Sequence, residues 1–204
     1  MSISLRLKPH SQSLNNMSLI DFAKEYSDKT DKYNLGYFHC FYDQAFKPRK
    51  NYTTALLEIG TYYGGSILLW RDYFPNATVF ALDVFQCHNL VNEERVVHII
   101  GDAYNLDFIK TLPSNYFDIV IDDGPHTFES MVVFLQKYLP LVKTGGIMVL
   151  EDIIDKSWTP KLVELLNNQM VKNYRVIDTS GKQIDPVLKE KWKNGLDVIL
   201  IEKG

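Results

Sequence analysis

Residues 55–66 read ALLEIGTYYGGS, and this stretch decides the fold. The apolar run 55–59 stops at Gly60, and the residues from Gly64 onward open a helical pattern that Pro75 ends. Further short apolar runs follow at 78–82, 96–100, 117–121, 146–150, 174–177 and 197–201. Short apolar runs that alternate with amphipathic helices are typical of a parallel sheet covered on both faces. We therefore predict an α/β fold with a seven-stranded, mostly parallel sheet and helices on both of its faces.

Helical spacing predicts the elements between and before these strands. One apolar stripe lies at helical spacing and comprises Phe128, Met131, Val132, Leu135 and Leu139. Thr159 and Pro160 have the pattern of a cap followed by a first helical turn. Near the N-terminus, Ser18 with Asp21 predicts a capped helix, and the first 17 residues, polar and aperiodic, predict a loose arm. The stretch from Tyr33 to Phe46 follows neither period and predicts a loop or a broken helix.

Composition excludes several classes of protein. The 204 residues are 46% hydrophobic and 23% charged, which is the balance of one ordinary globular domain. The net charge of −3 gives no basic surface for a nucleic-acid partner. No apolar run approaches the ~20 residues that a membrane span needs, and the N-terminus has no apolar block of signal-peptide length. With two cysteines in no metal or redox spacing, we expect a cytoplasmic protein with free thiols.

Acidic residues gather where the predicted strands end. Asp83, Asp102 and the pair Asp122-Asp123 follow the second, third and fourth runs, and Glu151-Asp152 follows the fifth. Glu58 lies just inside the end of the first run. Ligands of open parallel sheets bind beyond the carboxyl ends of the strands, so we expect the binding site at this acidic edge.

The turn after the first strand favours S-adenosylmethionine over a dinucleotide. A dinucleotide-binding turn needs a middle glycine that lets pyrophosphate approach, and Tyr62 stands at that position. Glu58 also disfavours a phosphate group. The pattern Glu58-x-Gly60 resembles the first motif of class I S-adenosylmethionine methyltransferases. Asp83 can accept both ribose hydroxyls, and Asp102 matches the position that meets the adenine amino group in these enzymes.

The ends of the fourth and fifth strands predict a metal site with a nearby base. Asp122-Asp123-Gly124-Pro125-His126 brings two carboxylates and an imidazole together, and Glu151-Asp152 is expected beside them. Such close carboxylates repel unless a cation joins them, and hard oxygen ligands suit Mg²⁺. The metal would lower the pKa of an acceptor hydroxyl, and His126 could remove the proton.

Five segments carry a more specific resemblance. They are Thr30-Asp31-Lys32 with His39 and Tyr42, Glu58-Ile59-Gly60, residues 70–77, residues 121–126, and Glu151-Asp152. Together they resemble the Mg²⁺-dependent sugar O-methyltransferases, a family that includes enzymes acting on macrolide and tetracenomycin deoxysugars. The likeness runs from about Thr30 to Asp152, and Pro125 departs from it, since a serine is commoner there.

The resemblance implies a Rossmann-like sheet with an antiparallel last strand, and it implies roles for named residues. Asp123, Glu151 and Asp152 are implied as ligands of Mg²⁺ or Mn²⁺, and His126 with Asp123 as the catalytic pair. The implied contacts to S-adenosylmethionine are Thr30, Lys32, Tyr42, Glu58, Gly60, Tyr62, Ser66, Asp83, Asp102 and Asp122. Residues 1–50 are implied as an arm and helical segment that covers the cofactor site, and residues 51–204 as the methyltransferase domain.

The expected acceptor is a hydroxyl of a rhamnose-type deoxyhexose, on a glycan or a small glycoside. A catechol or phenol O-methyltransferase is the first alternative, although its usual Asp-Asn at the fifth strand is here Glu151-Asp152. A nucleic-acid methyltransferase and a dehydrogenase are weaker alternatives, and a module that binds S-adenosylmethionine without catalysis is the non-enzyme alternative. The pattern is compatible with a homo-oligomer and with a domain of a larger glycan-building protein.

Overall fold

The computed structural model describes residues 17–204, and its centre is one seven-stranded sheet in the order β3-β2-β1-β4-β5-β7-β6. The strand β7 runs antiparallel to both neighbours, while the other adjacent pairs are parallel. The predicted mostly parallel sheet with an antiparallel last strand is therefore confirmed. The strands are β1 Ala55–Ile59, β2 Thr78–Asp83, β3 Val96–Ile100, β4 Phe117–Asp122, β5 Val142–Ile153, β6 Val171–Asp178 and β7 Asp197–Lys203.

Helices connect these strands and precede the first of them. The α-helices are α1 Leu19–Glu25, α2 Asp31–Asn34, α3 Asp43–Phe46, α4 Gly65–Tyr73, α5 Leu106–Ile109, α6 Phe128–Lys137, α7 Trp158–Glu164 and α8 Pro186–Lys191. A π-helical turn spans Phe38–Tyr42, and 3₁₀ turns span Lys47–Arg49, His88–Leu90 and Leu139–Leu141.

Local sequence explains how most of these helices begin. Gly64, with a φ of +80°, precedes α4, and a reciprocal pair of hydrogen bonds between Thr127 and Ser130 caps α6. The side chain of Ser18 accepts a hydrogen bond from the amide of Asp21, as predicted for α1. The predicted cap at Thr159 is wrong, because α7 already begins at Trp158. The Thr159 hydroxyl instead donates to the Asp197 carboxylate of β7 at 2.7 Å.

The N-terminal helices share one core with the helical layer beside β1. Trp70 of α4 is fully buried, and its ring lies 5.1–5.8 Å from those of Phe38, Tyr42 and Phe46. The stretch from Tyr33 to Phe46 is thus a broken helix, as one of the two predicted alternatives had it. Of the predicted loose arm, residues 1–16 lie outside the described residues.

A second core fills the opposite face of the sheet, beneath α6 and α7. Its members include Phe134 and Tyr138 near the end of α6 and Leu162 of α7, all fully buried. Both faces of the sheet are therefore covered, which leaves the carboxyl ends of the parallel strands as the open edge. Between residues 17 and 204, no helix is long and apolar enough to cross a membrane.

Candidate functional site

Two adjoining cavities lie at the carboxyl ends of the parallel strands. Register brings these ends together, because Ile59 of β1 pairs with Asp122 of β4, and Asp122 pairs with Leu150 of β5. The cavity we call the polar cavity has a volume of about 730 Å³, and the one we call the apolar cavity about 650 Å³. They share one boundary, formed by Gly60, Thr61, Tyr62, Asp123 and Gly124.

The apolar cavity holds two of the predicted cofactor carboxylates. Leu82, Val84, Phe85 and Ala103 are among its apolar lining, and Asp83 and Asp102 also line it. Asp83 accepts hydrogen bonds from the amides of Thr61, at 2.8 Å, and Phe85, at 3.2 Å. Burial alone would raise the pKa of Asp83, but these hydrogen bonds hold it below its usual value, so the group is an anion at neutral pH.

The polar cavity is bounded by the N-terminal helices on one side and the glycine turn on the other. Thr30, Asp31 and Asn34 line it from the α2 side, and Ser66 lines it from α4. Tyr62, with a φ of +43°, and Tyr63 lie at its mouth, 82% and 63% exposed. Thr30, Gly60, Tyr62, Ser66, Asp83 and Asp102 of the predicted cofactor set therefore line a cavity.

Gly60 is required by the close approach of the loop that carries Asp123. Its φ is +86°, and a Cβ at this position would lie 2.7 Å from the carbonyl carbon of Asp123 and nearer still to the carbonyl oxygen. The loop is tied to the same turn by a 2.9 Å hydrogen bond from the Asp123 amide to the carbonyl of Ile59. The glycine therefore sets where the Asp123 side chain lies.

Glu58 and Asp122 are buried and line neither cavity, so their predicted contacts with the cofactor stay a prediction. Glu58 accepts hydrogen bonds from Ser66, at 2.6 Å, and from the Trp70 indole. Asp122 accepts hydrogen bonds from the Tyr104 hydroxyl, at 2.5 Å, and from the amide of Gly124, at 3.2 Å. Burial raises the pKa of each carboxyl to about 7. Both carboxyls fasten neighbouring elements and line neither cavity.

Lys32 and Tyr42 line neither cavity, and their predicted contacts with the cofactor also stay a prediction. The Lys32 ammonium is buried between the carboxylates of Asp123, at 2.5 Å, and Glu151. The buried Tyr42 hydroxyl donates to the other oxygen of Glu151. Both side chains point toward buried carboxylates, because carboxylates crowded together in the interior need hydrogen-bond donors. His39, which the resemblance placed with them, is exposed, and its ring is tilted by 58° against that of Tyr33.

Three side chains form a cluster that could hold a metal ion. One ligand atom each from Asp123, His126 and Asp152 lies within 4.8 Å of the others. His126 Nε2 is 3.7 Å from Asp123 Oδ1 and 3.8 Å from Asp152 Oδ2. Among the residues from 17 to 204, none donates a hydrogen bond to either of these two oxygens. His126 and Asp152 have φ values of +53° and +54°, in the left-handed region that few non-glycine residues adopt.

Glu151 lies outside this cluster, and its role as a metal ligand stays a prediction. Its two oxygens accept hydrogen bonds from Lys32 and Tyr42, and each oxygen keeps a second lone pair. Burial raises the pKa of Glu151, and the nearby Lys32 ammonium opposes that rise. For Asp152, burial and the charge of Asp123 raise the pKa to about 6.

Two tyrosines that were not predicted from the sequence hold the site together. Tyr37 is fully buried, and its hydroxyl donates to Asp152 Oδ1, which leaves Oδ2 facing His126. Tyr104 lines the apolar cavity and holds Asp122. The tyrosine content of the stretch from Tyr33 to Phe46 was visible in the sequence, but its direction toward the strand ends was not.

Comparison with known proteins finds similarity to methyltransferases. Residues 57–153 match the family described as a methyltransferase domain. The mycinamicin VI 2''-O-methyltransferase of Micromonospora griseorubida is 32% identical over 136 residues, which are 61% of this chain and 34% of the relative. A Streptomyces olivaceus enzyme, 8-demethyl-8-(2-methoxy-alpha-L-rhamnosyl)-tetracenomycin-C 3'-O-methyltransferase, is 33% identical over 140 residues, 64% of this chain and 35% of the relative.

A solved structure extends the similarity over most of the chain. The MycE methyltransferase of the mycinamycin pathway, in complex with Mg and SAH, superposes with a TM-score of 0.72 and 25% identity. The match covers 92% of this chain and 55% of that chain. This chain spans about a third of the length of the curated relatives that it matches.

Proposed function

We propose that this chain moves a methyl group from S-adenosylmethionine to a sugar hydroxyl with the aid of Mg²⁺ or Mn²⁺, since residues 57–153 match the family described as a methyltransferase domain. One observation carries the proposal. The polar and apolar cavities meet at Asp123, and the same carboxylate belongs to the cluster with His126 and Asp152. A donor, an acceptor hydroxyl, a metal and a base can therefore meet at one point.

The apolar cavity suits the adenosine half of the methyl donor. Its apolar walls would contact the adenine, while Asp83 would accept from the ribose hydroxyls and Asp102 from the adenine amino group. The methionine half would then extend along the shared boundary toward Thr30 and Ser66, which line the polar cavity. Mg and SAH in the MycE structure support this choice of cofactors.

Asp123 and Asp152 fit a divalent metal, because each presents beside the other one oxygen that accepts no hydrogen bond from residues 17–204. Carboxylate oxygens are the ligands that Mg²⁺ prefers, and the metal keeps coordination positions for the acceptor. When bound, the metal would lower the pKa of the acceptor hydroxyl and orient its oxygen.

The chemical step is a displacement at carbon. The acceptor oxygen forms a bond to the methyl carbon, the carbon–sulfur bond breaks with its electron pair going to sulfur, and S-adenosylhomocysteine leaves. The proton of the hydroxyl passes to Nε2 of His126, whose side chain is 28% exposed and lines the polar cavity. Alignment of oxygen, carbon and sulfur supplies much of the rate as a proximity effect.

The acceptor we propose is a rhamnose-type deoxyhexose. The names of the relatives support it, since one acts on a rhamnosyl tetracenomycin. The mouth of the polar cavity supports it too, because Asp31 and Asn34 offer hydrogen-bonding groups opposite the exposed rings of Tyr62 and Tyr63. We further propose that the helices preceding β1 cover the methionine end of the cofactor, as the lining of the polar cavity by α2 suggests.

The test is methyl transfer from labelled S-adenosylmethionine, with Mg²⁺ and with EDTA, on paired rhamnosides and catechols. We expect labelling of a rhamnoside that EDTA abolishes. Labelling of catechols alone would assign the chain to the catechol or phenol alternative. Tight binding of S-adenosylmethionine without transfer to either class would favour a binding module.

A further inference from the structure

The strand β6 lies at one edge of the sheet and is exposed along most of its length. Residues 172–176 are all exposed, and Tyr174 and Val176 are 41% and 43% exposed. The strand at the other edge, β3, has only five residues, whereas β6 has eight. Short edge strands are one way in which proteins prevent pairing with another chain. Of the two edges, β6 is therefore the one that a further strand would extend.

Backbone groups of β6 point away from β7 at the outer edge of the sheet. The amide of Thr179, the residue after β6, donates to the carbonyl of Leu196 at the start of β7. Successive residues of an antiparallel strand direct their backbone groups to opposite edges, so Tyr174 and Val176 direct theirs away from β7. Within residues 17–204, β6 pairs with β7 alone, and no hydrogen bond joins these outer groups.

An apolar stripe accompanies this outer edge. Tyr174 and Val176 pair with Ile201 and Ile199 of β7, which belong to the core beneath α6 and α7. Side chains of directly paired residues lie on the same face of a sheet, so Tyr174 and Val176 lie on that face too. We call these two residues the β6 stripe. Its exposed apolar surface borders the outer backbone groups, and a further strand would bury both.

The cations of β6 are engaged by the chain itself. Lys172 lies 2.7 Å from the Glu202 carboxylate, and the Arg175 guanidinium donates to the side chain of Gln44 at 2.9 Å. The β6 stripe carries no charge of its own. It can therefore meet an identical stripe without the repulsion that like charges would cause across two strands.

We propose that β6 is a self-association surface, on which β6 of a second copy of this chain pairs in antiparallel fashion about a two-fold axis. Such an interface is self-complementary, because the same patch serves both copies. With Tyr174 on the axis, the two Tyr174 rings pair, and Asn173 of each copy lies opposite Arg175 of the other. With Arg175 on the axis, two guanidinium groups would lie opposite each other, which disfavours that register. The pairing joins the two sheets into one, and it does not depend on the proposed function.

The experiment measures the oligomeric state of the full chain by sedimentation velocity over a series of micromolar concentrations. We expect a dimer. We expect Val176→Lys to weaken dimerisation at least about tenfold, because a lysine on an edge strand opposes pairing and the two-fold axis makes it act twice. Val97→Lys is the matched control, since Val97 is 41% exposed on the opposite edge strand, β3. Its dimerisation should equal that of the wild type.

A proline at the same position tests the backbone pairing itself. Val176→Pro removes an amide that points away from β7, so it leaves the ladder between β6 and β7 intact and should abolish the dimer. Hydrogen exchange reads the same change in the backbone. The amides of Tyr174 and Val176 should exchange slowly in the wild-type dimer, and the Tyr174 amide should exchange fast in Val176→Pro.

A cysteine tests the register while leaving the strand undisturbed. Cα atoms of a hydrogen-bonded antiparallel pair lie about 5.5 Å apart, which is within the range that a disulfide spans. Oxidation of Tyr174→Cys should therefore give covalent dimers. The wild type should give none, because Cys40 is half-buried and Cys87 is buried.

Three results would overturn the proposal: a monomeric wild type, a dimer that Val176→Lys leaves unchanged, or a Tyr174→Cys chain that does not cross-link on oxidation. A monomeric wild type whose Tyr174 and Val176 amides nevertheless exchange slowly would show that another segment of the same chain covers β6. That result would also exclude a second copy as the occupant of this edge.

Discussion

Replacing Gly60 by alanine tests whether the turn after β1 sets the position of Asp123. An ordinary contact needs 3.4 Å, whereas the new Cβ would lie 2.7 Å from the Asp123 carbonyl carbon, so that atom must move by about 0.7 Å and the nearer oxygen by more. A left-handed backbone adds about 1–2 kcal/mol for any L side chain, and overpacking adds about 1–3 kcal/mol. We expect Gly60→Ala to lower the free energy of unfolding by about 2–5 kcal/mol.

The same displacement should reach the chemistry. A misplacement of about 1 Å can reduce turnover by roughly 10²-fold, and Asp123 belongs to both the metal cluster and the boundary between the cavities. We therefore expect Gly60→Ala to lose about 10²-fold in metal-dependent methyl transfer. Denaturant unfolding and transfer from labelled S-adenosylmethionine measure the two effects on one preparation.

Gly145 provides a matched control for the strain alone. Its φ is +76°, but a Cβ there would meet no atom within 4 Å. Gly145→Ala should thus cost only the about 1–2 kcal/mol of the left-handed backbone and leave turnover unchanged. Equal losses of stability in the two variants, or a Gly60→Ala enzyme with turnover within about twofold of the wild type, would refute the argument.

Three further predictions concern the base, the metal and the sheet. His126→Ala should reduce turnover by about 10²–10⁴-fold while the affinity for S-adenosylmethionine, measured by calorimetry, stays constant; unchanged turnover would remove His126 from the mechanism. Burial raises the pKa of Asp152 to about 6, so protons should compete with Mn²⁺ for this carboxylate below that pH. Binding titrations should show that the Mn²⁺ affinity falls as the pH drops from 6 to 5. A Mn²⁺ affinity that does not change over this range would contradict the prediction. Asp118→Asn should lower the free energy of unfolding at pH 7 by about 1.5–3 kcal/mol, since Asp118 accepts hydrogen bonds from Thr54, Ala55 and Lys143. These partners hold the pKa of Asp118 below its usual 3.8. The Asp118 carboxylate therefore stabilises the fold fully above pH 3.8, and this contribution is lost as the pH falls further. The unfolding curves of the variant and the wild type should converge at that low pH.

The sheet and its acidic edge could be predicted because both follow from local patterns. Parallel strands buried on both faces read as continuous apolar runs, and all seven runs lie within or largely overlap the observed strands. The stretch from Tyr33 to Phe46 resisted prediction for a related reason. Its aromatic side chains are buried on more than one side of a broken helix, so no single period appears in the sequence.

The direction of each carboxylate could not be predicted from the residues alone. Asp122 is the last residue of β4 and Asp123 lies in the loop after it, so the alternation of side chains along a strand does not decide which of them reaches the cavities. Asp122 turns to Tyr104, while Asp123 faces the shared boundary. The same ambiguity separates Glu151 from Asp152 at the end of β5.

The acidic edge also explains why the N-terminal helices belong to the same folding unit as the sheet. Three of the donors that satisfy its buried carboxylates come from this segment: Lys32 and Tyr42 bind Glu151, and Tyr37 binds Asp152. Without these hydrogen-bond donors, carboxylates this close would repel each other, and nothing would offset the loss of their solvation. The helices before β1 thus do more than line the polar cavity. They neutralise and orient the carboxylates that a metal site requires, so that the acidic edge can be held in place before any metal binds.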